Sequence, residues 1–318
     1  MTQFDPQQIQ IGISACLLGE KVRFDAGHKT SNYCRDELSR VFHYVPVCPE
    51  MAIGMGTPRK TIRLVDHQGE IRLTATDNSF DVTDAMREYA LGKSQQLDFL
   101  SGYIVCAKSP SCGMERVKLY DGQSGYSRKA GVGIYTQILM QQQPLLPIEE
   151  DGRLHDLGLR ENFITRVFAY HDWKSLIAQG LTRKALVQFH TRYKFLLLAH
   201  HQAHYRRLGK MIANFSEDLE ADAKAYIHLF MEALSQPATR KNHTNVLQHL
   251  QGFFSDKLTP KQTQELTEAI HKYRDGLLPL LVPITLIRHY LNEFDEPYVQ
   301  DQVYLNPHPE ELRLHYGY

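Results

Sequence analysis

The apolar residues of this chain change their period part-way along it. Up to about residue 106 they come in short, β-branched runs: IQIGISAC at 9–16, FHYVPVC at 42–48 and GYIVC at 102–106. Between them lie stretches of helical character at 31–41 and 83–99, the second opening on a capping Thr83 or Asp84. Short strands alternating with helices imply a largely parallel sheet, because parallel neighbours need a crossover connection. From about residue 182 to 295 the period is helical throughout, with Leu186, Phe189, Tyr193, Leu196 and Leu197 at helical spacing. The sequence therefore predicts an α/β N-terminal domain with a largely parallel sheet and an all-α C-terminal domain. The expected domains are 1–173 and 174–318, and 318 residues suit two domains of roughly 150 each.

Local signals add detail. TIRLVDHQGEIRLTA at 61–75 reads as a hairpin with a Gly-containing turn. Ser216 is the expected N-cap of SEDLEADAKAYIHLFMEAL, and Thr259-Pro260 a cap with proline at the first helical position. Pro279 and Pro283 are expected to break or kink the helical pattern around them, and the tail EPYVQDQVYLNPHPEELRLH to be irregular. Residues 145–173 are expected to complete the first domain and lead out of it.

A signal peptide needs a basic start and then an apolar core, and MTQFDPQQIQ has neither. The longest apolar stretch, LLPLLVPITLI at 277–287, holds two prolines and falls short of the roughly 20 residues that span a bilayer. The expected location is cytoplasmic, with no membrane partner. There the five cysteines are thiols or metal ligands rather than disulfides.

Cys16 ends the first apolar run, Cys48 ends the second, and Cys112 lies in the loop AKSPSCG after the third. Ser109-Pro110 and Cys112-Gly113 are turn chemistry, Pro fixing φ and Gly permitting positive φ. Open parallel sheets bind ligands at the carboxyl ends of their strands, so three thiols delivered there can meet at one point. Three unrelated buried thiols are the plainer alternative. Cys106, within its run, and Cys34, on a helical stretch, read as core residues. Structural zinc usually takes a fourth protein ligand and often CxxC pairs, which are absent.

SACLLGEKVRFDAG, PVCPE, GMGTPR and KSPSCG, with the later EEDGRL and LRENFITRVFAY, resemble the thiouracil desulfidase family over roughly residues 9–173. FHTRYKFLLLAHH, TRKNHTNVLQHLQGF and YLNPHPEE resemble the YbgA-like domain over roughly 182–312. Joined in one chain, they resemble the desulfidases that act on 4-thiouridine in tRNA. Asp25-Ala26-Gly27 stands where the family often has Asp-Gly, which leaves the role of Asp25 open. The resemblance implies that Cys16, Cys48 and Cys112 hold a [4Fe–4S] cluster with one iron open to a thiocarbonyl sulfur. It places Glu50, of the CPE motif, beside that iron as general base or proton shuttle, and Ser109 beside it as a hydrogen-bond donor. The reaction it implies is non-redox: water replaces sulfur, which departs as hydrosulfide. Read without the resemblance, Glu50 is an acid in the first turn of a helix after Pro49, Ser109 a turn residue capping backbone, and Arg59 an anion contact or a surface charge.

Residues 173–216 carry eight cations and no Asp or Glu: Lys174, Arg183, Lys184, Arg192, Lys194, Arg206, Arg207 and Lys210. In a chain of zero formal net charge this local excess is a phosphate-binding signature, and the resemblance implies thiolated tRNA as the partner. Pairing of these cations with the acids of 217–222 is the alternative. His200 and His204, four apart, lack an acidic third ligand and read as packing or solvated residues. Two other functions stay open: desulfuration of free thiouracil-type bases or nucleosides, and a non-enzymatic iron–sulfur protein that binds RNA or senses.

Overall fold

The structure is a computed structural model and describes Asp5, residues 7–312 and Leu314. The outermost residues of both expected domains, with Arg313 and His315 of the tail, lie outside the described residues. The chain divides into two compact units, Met1–Asp156 and Leu157–Tyr318.

The first unit holds eight strands in chain order: β1 Gln10–Ser14, β2 His43–Val47, β3 Ile62–His67, β4 Glu70–Ala75, β5 Gly102–Val105, β6 Val117–Asp121, β7 Ser127–Gly131 and β8 Ile148–Glu150. Four of them form an all-parallel sheet in the order β2-β1-β5-β8. The expected parallel sheet is present. Its inner strands β1 and β5 are buried on both faces, which is why they read as continuous apolar runs rather than alternating ones. Gly12 on β1 pairs with Tyr103 on β5, and a Cβ at 12 would lie 2.2 Å from the Tyr103 ring, so only glycine lets that ring lie against β1.

The hairpin at 61–75 forms as β3 and β4, turning on Gln68 and Gly69, both at positive φ. It belongs to a second, mixed sheet, β4-β3-β6-β7, whose strands β6 and β7 the sequence did not announce. The unit also carries the short helix α1, Pro49–Ala52, and the longer α2, Thr83–Gln96, and α3, Ile134–Gln142. Two local expectations change. Residues 31–41 are not a regular helix but a π-type turn, Tyr33–Glu37, and then a 3₁₀ turn, Leu38–Arg40. Thr83 is the first residue of α2 and not its cap; its hydroxyl accepts from the Leu73 N–H of β4, and Asp81 accepts from the Thr83 N–H.

The second unit is helical: α4 Leu157–Gln179, α5 Arg183–His200, α6 Gln202–Ala213, α7 Leu219–Ser235, α8 Arg240–Gly252, α9 Pro260–Arg274, α10 Leu281–Glu293 and α11 Pro297–Gln300. The expected boundary at 173/174 falls inside α4. That helix buries Phe163, Ile164, Val167 and Trp173 in the helical unit's core, so the division lies at 156/157. An aromatic cluster centres this core: Trp173 stacks on Tyr226 at 5.8 Å, Phe189 stacks on Tyr193 at 4.6 Å, and Phe230 packs on both Phe189 and Tyr193. Removing a ring from such a cluster costs about 3–5 kcal/mol.

The cap of α7 is Asp218, accepting from Ala221 N–H at 2.9 Å, and not Ser216, whose hydroxyl is drawn to Asp222. Thr259 caps α9 as expected, in a reciprocal box with Gln262. Pro279 precedes α10, while Pro283 sits in its first turn, where its missing N–H has no helical partner to lose. The tail carries short ordered pieces, α11 and 3₁₀ turns at Val303–Leu305 and Glu310–Leu312.

Candidate active site

Each strand of the parallel sheet delivers one chemically capable residue at its carboxyl end. Cys48 comes after β2, Cys16 after β1, Cys106 after β5 and Asp151 after β8. Cys112 arrives from the loop beyond β5. Cys16, Cys48, Cys106 and Cys112 line one cavity of about 490 Å³, with Glu50, Arg59, Lys29, Lys108 and Ser109. Among the described residues all five cysteines, these four and Cys34, are free thiols. Cys34, buried in its π-type turn, is not in the cavity lining, whereas Cys106, read from sequence as a core residue, is.

Cys48 caps α1, and Pro49 at its first position fixes the turn, which puts Glu50 in the first turn facing the cavity. Glu50 is held from both sides. Its Oε2 accepts from Arg59 Nε at 2.9 Å and from Arg59 Nη2, and its Oε1 accepts from the Ser111 hydroxyl at 2.8 Å. Arg59 is itself almost fully enclosed and donates to the carbonyls of Gly56 and Val22 at 2.7 and 2.8 Å. Arg59 is thus no surface charge; it lines the cavity, and the anion it meets in the structure is the Glu50 carboxylate. Arg59 and Ser111 were not legible as partners in the sequence because the contacts join residues 9 and 61 positions apart.

The loop AKSPSCG is tightly specified. Ser109 Oγ accepts from the N–H groups of Ser111 and Cys112 at 3.3 and 3.1 Å, which caps the turn. Both bonds use its lone pairs. Gly113 was expected to adopt positive φ, and it does not; the positive φ in the loop belongs to Lys108. Glycine is needed at 113 for room, since a Cβ there would stand 2.5 Å from Val117 and 2.9 Å from the Ser109 carbonyl. Gly133 has the same duty from outside: its Cβ would lie 2.5 Å from the Ser111 backbone. The Thr136 hydroxyl donates to Cys112 O at 2.6 Å and completes the clamp.

Cys16, Cys48 and Cys112 resist ionisation in this setting. A hydrogen bond shared with Cys106, then burial, then the neighbouring Cys112 and Cys48 push Cys16 up; the same bond holds Cys106 lower. Burial raises Cys48, and burial with the nearby Glu50 raises Cys112 well above an ordinary thiol. Thiolates gathered here need a cationic group among them. Lys29 supplies one charge: its Nζ lies 2.9 Å from Asp151, and Asp151 accepts from Ala107 N–H at 2.7 Å, tying β8 to the loop after β5. Among the described residues no three His, Cys, Asp or Glu side chains are arranged to hold a metal ion. A cluster makes a different demand, because each thiolate meets its own iron. Several soft donors around one cavity fit that demand, with Cys16, Cys48 and Cys112 from three chain segments and Cys106 beside Cys16.

In the helical unit the candidate RNA-contacting cations fall on α5 and α6. Arg183 donates to the Ser216 carbonyl at 2.7 Å, and Arg192 lies 3.5 Å from Asp172. Lys184, Arg206, Arg207 and Lys210 are exposed, and Lys194 is half-buried. Of the four acids of 217–222, Asp218 caps α7 and Asp222 holds Ser216. His200 is buried with Nδ1 2.6 Å from Gln236 O, and His204 pairs with His201 at 2.6 Å, so neither stands as an open ligand pair.

Residues 11–151 match the family model of 2-thiouracil desulfurase, and residues 194–309 match a family described as a protein of unknown function, DUF1722. The uncharacterised protein YbgA of Escherichia coli (strain K12) is 35% identical over 159 residues, which is 49% of this chain and 94% of YbgA. A solved [4Fe–4S]-dependent thiouracil desulfidase, TudS, is 31% identical and covers 46% of this chain and 94% of its own, with a TM-score of 0.37. The first unit, by its site and its family model, is an enzyme domain of the desulfidase class. The chain belongs to the YbgA family, here joined to that domain. Among the described residues no helix is long and apolar enough to cross a membrane.

Proposed function

We propose that this chain converts 4-thiouridine in tRNA to uridine, releasing the sulfur as hydrosulfide, with a [4Fe–4S] cluster held by Cys16, Cys48 and Cys112. The observation that carries the reading is the single cavity into which separate strands deliver these thiols together with a clamped Glu50. When bound, the cluster supplies a Lewis acid that polarises a C=S bond. Everything else is the work of this chain's side chains. Glu50, fixed by Arg59 and Ser111, takes a proton from the attacking water and passes it toward the ring nitrogen. Ser109 accepts two backbone hydrogen bonds and keeps its own hydrogen for the substrate. Atoms balance with one water in and hydrosulfide plus a proton out, and no net electron is transferred.

Two features support RNA as the bearer of the thiolated base. The cavity lining includes Arg23, Lys29, Lys60 and Lys108 against Glu50 as its acid, and Phe24 is exposed there. The helical unit adds the cations of α5 and α6. A cytoplasmic location accords with a tRNA substrate. A free thiouracil-type base is the second reading, favoured by a cavity of about 490 Å³ that accommodates a lone base with space left over. The test is anaerobic reconstitution with iron and sulfide, then incubation with thiolated tRNA. Sulfide release with loss of the near-ultraviolet absorbance of 4-thiouridine, abolished in Cys112→Ala, is the expected result. Intact 4-thiouridine beside turnover of free thiouracil would select the second reading. A properly assembled cluster with no turnover of either would overturn both.

A further inference from the structure

Two adjoining cavities lie in the helical unit beside α5 and α6, of about 320 and 610 Å³, and share Lys194, Tyr205, Arg206 and Tyr298. Lys210 and His190 line one; Phe195, His249 and Phe253 line the other. No carboxylate is among the lining residues of either, so their field favours an anion.

The walls are built rather than incidental. Phe253 is 37% exposed and, among the described residues, is the aromatic side chain that the helical unit leaves most open as a large apolar surface. Its ring stacks on Tyr298 at 5.4 Å and 25°. The buried Phe195 meets both rings edge-on, at 6.2 Å from Phe253 and 6.3 Å from Tyr298. Gln302, 1% exposed, fastens the tail segment that carries Tyr298: its amide donates to Thr191 O at 2.9 Å and to Tyr298 O at 3.1 Å. Lys194 stands 5.9 Å from the Tyr298 ring centre. Burial works to lower its pKa, but the Tyr205 and Tyr298 oxygens bond it and the net direction is upward, so its charge persists.

We propose that these cavities form a subsite for one unpaired RNA nucleotide, its phosphate held by Lys194, Arg206 and Lys210 and its base stacked on Phe253. The subsite rests on the reading that the chain acts on tRNA, and it names what part of the RNA the helical unit holds. A base within a duplex has both faces covered and cannot stack on Phe253, whereas an unpaired base can.

The experiment titrates the full-length chain with tRNA and with a fully paired, blunt-ended RNA duplex of two strands, each over a series of salt concentrations. The variants are Phe253→Ala, Phe253→Tyr and Lys210→Gln, each checked by thermal melting. Phe253→Ala is expected to weaken tRNA binding about tenfold at fixed salt with the salt slope and duplex affinity retained. Phe253→Tyr should bind as the parent does. Lys210→Gln should lower the slope of log K against log salt by about one. Equal losses on both RNAs, or none on tRNA, for Phe253→Ala would overturn the subsite alone. A parent chain that binds neither RNA overturns the tRNA reading and the subsite with it.

Discussion

The two units place charge and chemistry by different means. In the α/β unit, function sits where backbone topology puts it: four parallel strands end at one edge, and the residues just beyond them meet in a cavity whatever their separation in sequence. Glu50 there makes bonds to Arg59 and Ser111 that leave it a single orientation. In the helical unit the cations spread along α5 and α6, where Lys184, Arg206, Arg207 and Lys210 are exposed. A site assembled at strand ends is specific and fragile, because one residue removed leaves its partners buried and unpaired. A cationic face is tolerant, since each charge adds a similar increment of phosphate attraction.

This difference orders the expected effects of mutation. The largest falls on the thiols. Cys16→Ala, Cys48→Ala or Cys112→Ala should abolish cluster assembly and all turnover, read as iron content and visible absorption. Cys106→Ala should keep both, and loss of the cluster in that variant would show that four chain thiols, not three, carry it. Glu50→Gln should retain the iron and lower kcat by about 10²–10⁴-fold, the span of general acid–base catalysis.

The next effect lies in the helical unit and concerns pH. Burial, with Lys194 nearby, holds the His190 imidazole down to about 4, against an ordinary 6.5, and its Nδ1 meets the Tyr226 hydroxyl at 3.1 Å. A base whose folded pKa is depressed binds its proton first in the unfolded chain. Stability is therefore complete above pH 6.5 and falls as pH drops toward 4, by about 3 kcal/mol from this group. Chemical denaturation at pH 7 and pH 4.5, monitored by the aromatic signal of the lone Trp173, measures it, and His190→Gln should flatten the dependence. The smallest effect is on binding: Arg206→Glu with Arg207→Glu should lower kcat/KM on thiolated tRNA about tenfold or more relative to that on free thiouracil, and less so at high salt.

The same division governs how much was legible in the sequence. That Cys16, Cys48 and Cys112 share one cavity was legible as one of two alternatives, because the apolar runs before them mark strands whose ends a parallel sheet brings to one edge; their part as cluster ligands came from the family resemblance. Cys106 is buried, as read from sequence, but the strand stops one residue before it, at Val105, so that it also lines the cavity. Arg59 and Ser111 carried no sequence signal for their bonds with Glu50, since nothing local predicts which loop closes over α1. Strands β6 and β7 were hidden because exposed Lys and Arg interrupt their apolar pattern. The cation run was visible as composition, but Arg192 proves to lie near Asp172, and Lys194 to stand between two tyrosines. Helix α4 was obscured by being buried on more than one side, which erases the amphipathic stripe. Phe253 and Tyr298, far apart in sequence, gave no hint that they stack.

The most direct measurement of the division of labour is kcat/KM of the reconstituted full-length chain on 4-thiouridine-containing tRNA and on free thiouracil, side by side at physiological salt. The expected result is a strong preference for tRNA that shrinks as salt rises, while turnover of both substrates disappears together in Glu50→Gln. Equal or greater efficiency on free thiouracil, unmoved by salt, would contradict it.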